Sequence, residues 1–201
     1  DLVNVNDIDN KVLRNKIGFV PQKSVLFTGT IMDNIRYGKE DASFEEVKHA
    51  CKIAEASEFI SNMKDGYNSI ISQGGTNVSG GQKQRISIAR ALVRKPDVYI
   101  FDDSFSALDF KTDAKLRNSL KGETKDSIVI IVAQRVSTIM NADRIIVLDE
   151  GEIKGIGTHK DLLETSSVYK EIVLSQFSGE EIAWANKEWD MVEDPLWEQD
   201  L

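Results

Sequence analysis

The sequence contains little of what disulfide-bonded or membrane-spanning proteins need. Cys51 is its one cysteine, so no disulfide can form within the chain, which fits a reducing compartment. The longest apolar run, IVIIVA at 128–133, has the length of a strand and falls well short of the roughly 18 residues that span a bilayer. We therefore expect no direct insertion of this segment into a membrane.

The chain also has fewer basic than acidic residues. The 25 lysines and arginines face 33 aspartates and glutamates, which leaves a net charge of −8. An acidic chain repels the phosphates of nucleic acids and anionic lipids, so neither is expected as the main partner. The rest of the composition is ordinary for a globular protein, with 41% apolar and 29% charged residues, and 201 residues suffice for one domain.

Apolar runs of strand length alternate with segments of helical composition. The runs at 98–102 and 127–133 are rich in β-branched residues, which predicts two parallel strands buried on both faces. A helical segment lies between them, and this β-α-β succession implies an α/β layered fold. The pattern further predicts a strand at 17–20 and helices at 30–37, 43–61, 82–94 and 111–120.

The segment after residue 143 has a different pattern. RIIVLDEGEIKGIG at 144–157 predicts a β-hairpin that turns at Glu150-Gly151. Thr158 then precedes a helical segment and is followed by Asp161 three residues later, which predicts a capped helix start.

The stretch NVSGGQKQRISIARAL at 77–92 carries the strongest functional signal. Ser79, Gly80 and Gly81 precede a helix, and small residues let the backbone approach a ligand closely. Free N–H groups and the positive dipole end at a helix start bind anions. A glycine-containing helix cap without a ligand would explain SGG alone, so the interpretation depends on the whole stretch. The basic side chains further along favour a solvated helix face over a nucleic-acid patch: Lys83, Arg85, Arg90, Arg94 and Lys95.

A second signal lies at VYIFDD, residues 98–103. A mostly apolar strand runs directly into two carboxylates, Asp102 and Asp103. Carboxylates at the end of a buried strand are typical of a site that holds magnesium and phosphate.

Together these stretches resemble the nucleotide-binding domain of ATP-binding cassette (ABC) transporters, most similar to the exporter type. The resemblance covers residues 1–177. It implies a P-loop-NTPase-like α/β domain with a parallel-sheet core and an α-helical signature subdomain at about 30–95.

The resemblance also implies roles for individual residues. Magnesium is expected at Asp102, the Walker B aspartate, and at Gln22, the glutamine of the Q-loop. Catalysis is expected to involve Asp103, which follows Walker B, and Gln134 of the switch loop. The nucleotide is expected to contact the signature (77–92), the D-loop (106–109) and the Q-loop (17–38), at Ser79, Gly80, Gly81, Gln82, Asp109 and Gln22. The implied cofactors are ATP and Mg²⁺.

Two of these residues depart from the family's pattern. Asp103 stands where the family carries Glu as its general base, and withdrawing a carboxylate by about 1 Å can cost on the order of a hundredfold in rate. Gln134 stands where the switch loop carries His, and Gln can donate a hydrogen bond but cannot be cationic or relay a proton. The signature, in contrast, is nearly intact.

This contrast predicts one half of a heterodimeric exporter. The chain's own site is expected to be impaired, and its signature is expected to complete the consensus site of a second ABC subunit. Two alternatives stay open: a regulatory module that holds nucleotide without hydrolysing it, and an inactive fragment.

The phosphate loop G-x-x-x-x-G-K-[ST] is absent from the sequence. In the family this loop lies upstream of the Q-loop, so we expect the chain to be an N-terminally truncated piece that lacks the first strands and Walker A. Such a piece is expected to bind ATP weakly by itself and to expose part of its core.

The resemblance implies a membrane context for the partners. Residues following Gln22 are expected to contact the transmembrane domains of the same transporter. The implied location is the cytoplasmic face of the plasma membrane, as part of a membrane transporter.

The C-terminal segment, residues 178–201, is acidic and contains all three tryptophans. Apolar residues recur there with helical spacing, which predicts an amphipathic helix, at Ile182, Ala185, Trp189 and Val192. Docking of this helix on its own domain and contact with the partner subunit both stay open.

Overall fold

The computed structural model describes residues 3–177, apart from the side chain of Phe110. These residues divide into two compact units, 3–134 and 135–177. The predicted C-terminal helix belongs to 178–201 and lies outside the described residues.

The first unit is built on a parallel sheet surrounded by helices. Its strands are β1 (Ile17–Val20), β2 (Gly29–Thr30), β3 (Ile70–Ile71), β4 (Val98–Asp102) and β5 (Ile128–Val132). Its α-helices are α1 (Asn10–Asn15), α2 (Ile31–Arg36), α3 (Phe44–Ile53), α4 (Ser57–Ser61), α5 (Gly80–Leu92) and α6 (Phe110–Glu123). Short 3₁₀ turns lie at Val5–Asp7, Gly66–Asn68 and Gln73–Gly75.

Strands β1, β4 and β5 form a three-stranded sheet in the order β1-β4-β5, and both pairings are parallel. The helix α6 connects β4 to β5, which is the crossover that parallel neighbours require. The predicted α/β fold with a parallel-sheet core is confirmed. The strands β2 and β3 pair separately and antiparallel.

The two faces of the three-stranded sheet differ in burial. On one face Val20, Tyr99 and Phe101 are buried in the core of the first unit. On the other face Phe19 and Ile130, which both lie in register with Ile100, are 55% and 46% exposed.

The prediction that residues 127–133 form a strand buried on both faces was therefore wrong in part. Ile128 and Val132 lie on the open face with Ile130 and are 63% and 53% exposed. The physical reason is position, because β5 is an edge strand of the described sheet and its outer face has no cover among residues 3–177.

The segment predicted to be helical at 43–61 is helical in two parts, α3 and α4, and not as one continuous helix. Between α3 and α4 the backbone of Glu55 has φ 54°, in the left-handed region that ends a helix. The N–H of Ala56 donates to the carbonyl of Cys51 at 2.8 Å, and the N–H of Glu55 donates to that of Lys52 at 3.1 Å. The guanidinium of Arg85 also donates to the Glu55 carbonyl, at 2.7 Å. This tertiary contact holds a break that no Gly or Pro marks in the sequence.

The second unit is a hairpin packed on short helices. Its elements are β6 (Ile145–Asp149), β7 (Glu152–Gly157), α7 (Val136–Ile139), α8 (His159–Thr165) and α9 (Ser167–Gln176). The predicted hairpin and its turn are confirmed, since β6 and β7 pair antiparallel and both Glu150 and Gly151 have positive φ. The predicted cap is confirmed as well, because Thr158 and Asp161 form a capping box.

No helix within residues 3–177 combines the length and the apolar character needed to cross a bilayer.

Candidate active site

Three polar side chains meet at the carboxyl edge of the parallel sheet. Gln22 follows β1 by two residues, Asp103 follows β4 by one, and Gln134 follows β5 by two. Because the strands are parallel and adjacent, their carboxyl ends open at the same edge, where α/β proteins usually bind ligands. We call Gln22, Asp103 and Gln134 the edge cluster.

Hydrogen bonds join the edge cluster through a single atom. Oδ2 of Asp103 accepts from Nε2 of Gln22 at 3.2 Å and from Nε2 of Gln134 at 3.3 Å. The structure thus brings together three residues that the sequence analysis selected separately, with Gln22 lying 81 residues before Asp103 and Gln134 lying 31 residues after it.

The backbone at Asp103 is held in an uncommon conformation. Its φ is 42°, a left-handed value that Asp tolerates better than most residues. The N–H of Asp103 donates to the carbonyl of Val132 at 2.8 Å, and the hydroxyl of Ser106 donates to the carbonyl of Asp103 at 2.9 Å. The buried hydroxyl of Ser104 donates to the carbonyl of Val20 at 3.0 Å. The turn is therefore fixed by three independent bonds.

Sequence reasoning missed Ser104 and Ser106 as parts of this site. The signal that could have indicated them is the run of small polar residues directly after a strand-end carboxylate, where side-chain hydroxyls commonly bond to nearby backbone.

Asp102 is the last residue of β4 and lies opposite Val132 in the register. Its carboxylate has no hydrogen-bond partner among residues 3–177. Magnesium prefers hard oxygen ligands and is usually bound by one or two protein oxygens together with waters and substrate phosphates. The carboxylate of Asp102 and the amide oxygen of Gln22, whose nitrogen faces Asp103, fit that requirement.

The signature stretch begins helix α5. The hydroxyl of Ser79 accepts from the N–H of Gln82 at 3.2 Å, and the side-chain oxygen of Gln82 accepts from the N–H of Ser79 at 2.9 Å. This capping box occupies the side-chain oxygen of Gln82 within the chain. A Cβ added at Gly80 would meet nothing within 4 Å, so the helix start is open on that side.

The D-loop lies beside the signature. A Cβ added at Gly81 would come within 3.3 Å of the carbonyl oxygen of Ala107 and 3.6 Å of Leu108. Asp109 caps α6 by accepting from the N–H and the hydroxyl of Thr112, at 3.0 and 2.8 Å, and these bonds lower the pKa of Asp109. The structure therefore places Asp109 in a helix cap next to the signature.

Two side chains of α5 that sequence reasoning did not select hold the Q-loop. Gln84 is buried, donates to the carbonyl of Pro21 at 3.4 Å and accepts from the hydroxyl of Ser24. Arg90 donates to the carbonyls of Asn34 and Val25 at 2.8 and 3.0 Å.

The prediction of a solvated basic face on this helix was thus wrong for Arg90 and Arg85. Burial lowers the pKa of both guanidinium groups, and both donate to backbone carbonyls. The basic residues of α5 are visible in the sequence, but the backbone carbonyls that Arg85 and Arg90 contact lie dozens of residues away along the chain.

The chain is similar to known proteins over most of its length. The family described as ABC transporter matches residues 2–106. The chain is 48% identical over 176 residues to the ABC transporter ATP-binding protein YfiB of Bacillus subtilis, covering 88% of this chain and 30% of that protein. It is 44% identical over 170 residues to the mitochondrial potassium channel ATP-binding subunit of Rattus norvegicus, covering 84% of this chain and 24% of the relative.

A solved structure is also similar to this chain. The structure of a bacterial Atm1-family ABC exporter with ATP bound has a TM-score of 0.83 and 39% sequence identity, over 86% of this chain and 30% of that chain. The chain thus spans less than a third of the length of each of these three proteins.

Proposed function

This chain belongs to the ABC transporter family as an ATP-binding domain with exporter-like relatives, and from that premise we propose that it is one half of a heterodimeric exporter. In this proposal ATP binding and hydrolysis power export across a membrane, and the chain works at the cytoplasmic face of the plasma membrane. The subdivision into a domain at 1–177, a helical signature subdomain near 30–95 and a tail at 178–201 forms part of the same proposal.

The observation that carries the proposal is the composition of the edge cluster. A carboxylate and two amides meet there, and none of these side chains can act as a cationic relay. Asp103 reaches less far than a glutamate would, and Gln134 replaces the imidazole. We therefore assign impaired hydrolysis to this chain's own site.

The segments that would complete a partner's site depart less from the family's pattern than the edge cluster does. The signature at Ser79–Gly81 starts an open helix N-terminus, and the D-loop at Ala107 and Leu108 lies against it. The loop from Asp103 to Asp109 thus connects the chain's own site to the surface that would complete the partner's site. ATP bound between two subunits would be contacted by Ser79, Gly80 and Gly81 of this chain.

Magnesium would be held by Asp102 and Gln22 together with nucleotide phosphates. When bound, the ion would supply positive charge against the phosphates. Residues of this chain would then orient the nucleotide.

The exposed residues after Gln22 fit contact with transmembrane domains. Val25, Phe27 and Tyr37 are 58%, 44% and 71% exposed, and the rings of Phe27 and Tyr37 lie 4.6 Å apart. The guanidinium of Arg90 lies 5.2 Å from the centre of the Phe27 ring and forms a cation–π contact that stabilises the ring's position. An exposed apolar surface of this kind suits docking of the transmembrane domains of the same transporter.

The test restores the residues that the family carries. In the full-length heterodimer, Asp103→Glu combined with Gln134→His should raise ATP hydrolysis at this site by on the order of a hundredfold. The reason is that Glu carries its carboxylate one methylene further and that the imidazole of His can relay a proton. Single-site turnover is measured with the partner's site inactivated. Unchanged turnover in the double variant would contradict an impaired site.

A second candidate function is a regulatory module that holds nucleotide without hydrolysing it. The occupied Oδ2 of Asp103 favours this role for the local site. The two functions coexist in a heterodimer, where one site regulates and the other hydrolyses.

A further inference from the structure

We propose that Asp103 acts as a latch that holds the Q-loop and the switch loop together across the sheet edge, and that this is its role in place of proton abstraction. The inference rests on the proposed function, since it says what the impaired site does. The observation behind it is that both glutamines of the edge cluster donate to one and the same oxygen.

Hydrogen-bond capacity supports the latch. A carboxylate oxygen has two lone pairs, and the amides of Gln22 and Gln134 use both at Oδ2 of Asp103. A general base needs an accepting lone pair aimed at a water molecule. Both lone pairs of Oδ2 are therefore used by the two glutamines. The other carboxylate oxygen, Oδ1, is carried by a side chain one methylene shorter than the family's glutamate.

The position of Asp103 suits a bridge. It follows the middle strand β4, and its two partners follow the strands on either side, β1 and β5. An aspartate places its carboxylate between the two amides. A glutamate would carry it about 1.5 Å further, one carbon–carbon bond beyond this position. The two departures from the family, Asp103 and Gln134, are then one matched donor–acceptor pair.

The backbone keeps the latch in place. The left-handed φ of Asp103, its N–H bond to Val132 and the bond from Ser106 fix where the side chain starts. Ser104 bonds to the carbonyl of Val20, two residues before Gln22, so the same turn also positions the start of the Q-loop.

The consequence lies in the Q-loop. Gln22 leads to Val25 and Phe27, which form the surface proposed to meet the transmembrane domains. A closed latch holds that segment to the nucleotide site without any hydrolysis. We infer that the impaired site transmits nucleotide occupancy through this connection.

Two substitutions of the same residue separate a latch from a base. Asp103→Asn keeps a carbonyl oxygen that accepts from both glutamines but cannot take a proton in catalysis, whereas Asp103→Ala removes the acceptor. Amide hydrogen exchange is measured on the nucleotide-free, full-length subunit in its dimer, in peptides covering 20–27 and 131–135. Asp103→Ala should speed exchange in both peptides by about three- to tenfold, the factor for loss of an ordinary hydrogen bond, and Asp103→Asn should stay within about twofold of the wild type.

Gln134→Leu provides a second way to open the latch from the switch-loop side. It should speed exchange in 131–135, and combined with Asp103→Ala it should add less than its separate effect, because both changes remove the same bond. Asp126→Ala is the matched control, since Asp126 is an exposed aspartate at the opposite, amino end of β5.

Equal exchange in Asp103→Asn and Asp103→Ala, or no change in either, would overturn the latch. Because no nucleotide is present, this result is independent of whether the site hydrolyses ATP. The Asp103→Glu and Gln134→His experiment tests that separate question.

Discussion

At the scale of single residues, the hydroxyl of Ser79 has a structural role, and we propose a functional role beside it. Its oxygen accepts from the N–H of Gln82 and so caps α5, while its hydrogen remains available to donate to a phosphate. Ser43 at the start of α3 forms the same capping box with Glu46. The two serines therefore share the structural role, and only Ser79 lies in the signature.

This pair makes the first prediction. Ser79→Ala and Ser43→Ala should each lower the free energy of unfolding by about 1 kcal/mol, the usual cost of losing an N-cap. Only Ser79→Ala should also lower ATP turnover of the assembled transporter, by about tenfold or more, because a hydrogen bond to a charged phosphate is lost. Denaturant unfolding and steady-state hydrolysis are the measurements. Equal loss of turnover in both variants would reduce Ser79 to a cap.

A buried histidine in the second unit gives the next prediction. His159 is buried, and its Nδ1 lies 2.7 Å from the hydroxyl of Tyr169. Burial lowers the pKa of His159 below its ordinary 6.5. In the unfolded chain the imidazole takes up its proton near pH 6.5, whereas in the folded unit it stays neutral to lower pH. The unfolded state therefore binds more protons in that window, and the second unit should lose stability as the pH falls below 6.5.

For the binding of one proton, the slope of the free energy of unfolding against pH can be at most about 1.4 kcal/mol per pH unit. His159→Gln keeps a side chain that can bond to Tyr169 and should flatten the slope. His49→Gln, which changes a half-exposed histidine of the first unit, should leave it intact. Hydrogen exchange of residues 145–173 between pH 7.5 and 5.5 measures the effect. A slope that survives in His159→Gln would assign it to another group.

At the scale of elements, the first unit depends on the close approach of α5 and the end of α2. A Cβ added at Gly38 would lie 2.0 Å from the carbonyl oxygen of Arg90 and 3.2 Å from Val93. Backbone cannot yield as a flexible side chain can, so this position tolerates no side chain. The same helix, α5, carries Gln84 and Arg90, which bond to backbone carbonyls at Pro21 and Val25, so its placement also affects the segment around Gln22.

We predict that Gly38→Ala destabilises the first unit by about 3 kcal/mol, at the upper range of overpacking costs. The matched control is Gly122→Ala in α6, where an added Cβ meets nothing within 4 Å. That variant should stabilise the protein by up to about 1 kcal/mol, because Ala is the better helix former. Thermal unfolding of both variants decides the matter, and a neutral Gly38→Ala would show that α5 can shift.

At the scale of the whole molecule, one face of the parallel sheet is uncovered within the described residues. Phe19, Ile128, Ile130 and Val132 are each between 46% and 63% exposed. Apolar area of this size on the edge and face of a sheet favours association with other apolar surfaces. Net charge of −8 opposes that association only weakly once salt screens it.

We predict that the isolated 201-residue chain self-associates with rising concentration. The double variant Ile128→Thr and Ile130→Thr keeps β-branched side chains, and it should shift this association to at least about tenfold higher concentration because less apolar area is exposed. Sedimentation velocity at several concentrations measures it. A wild-type chain that stays monomeric throughout would contradict the prediction, and so would a variant that associates equally.

Local patterns in the sequence determined several strands, turns and helix caps of this protein. The strands at 17–20 and 98–102, the turn at Glu150-Gly151 and the caps at Ser79 and Thr158 all follow from short-range rules, because each depends on neighbours within a few residues. The motifs at 77–92 and 98–109 also indicated the family, since the spacing of ligand-binding groups along the chain is itself the signal.

Only the tertiary structure decided what depends on distant segments. The break at Glu55 is held by Arg85, the Q-loop is held by Gln84 and Arg90, and the exposure of β5 follows from its place at the edge of the sheet. The sequence named Gln22, Asp103 and Gln134 one by one. That the two amides share one carboxylate oxygen emerged only when three parallel strands brought their ends together, because hydrogen bonding depends on ångström distances that sequence spacing does not encode.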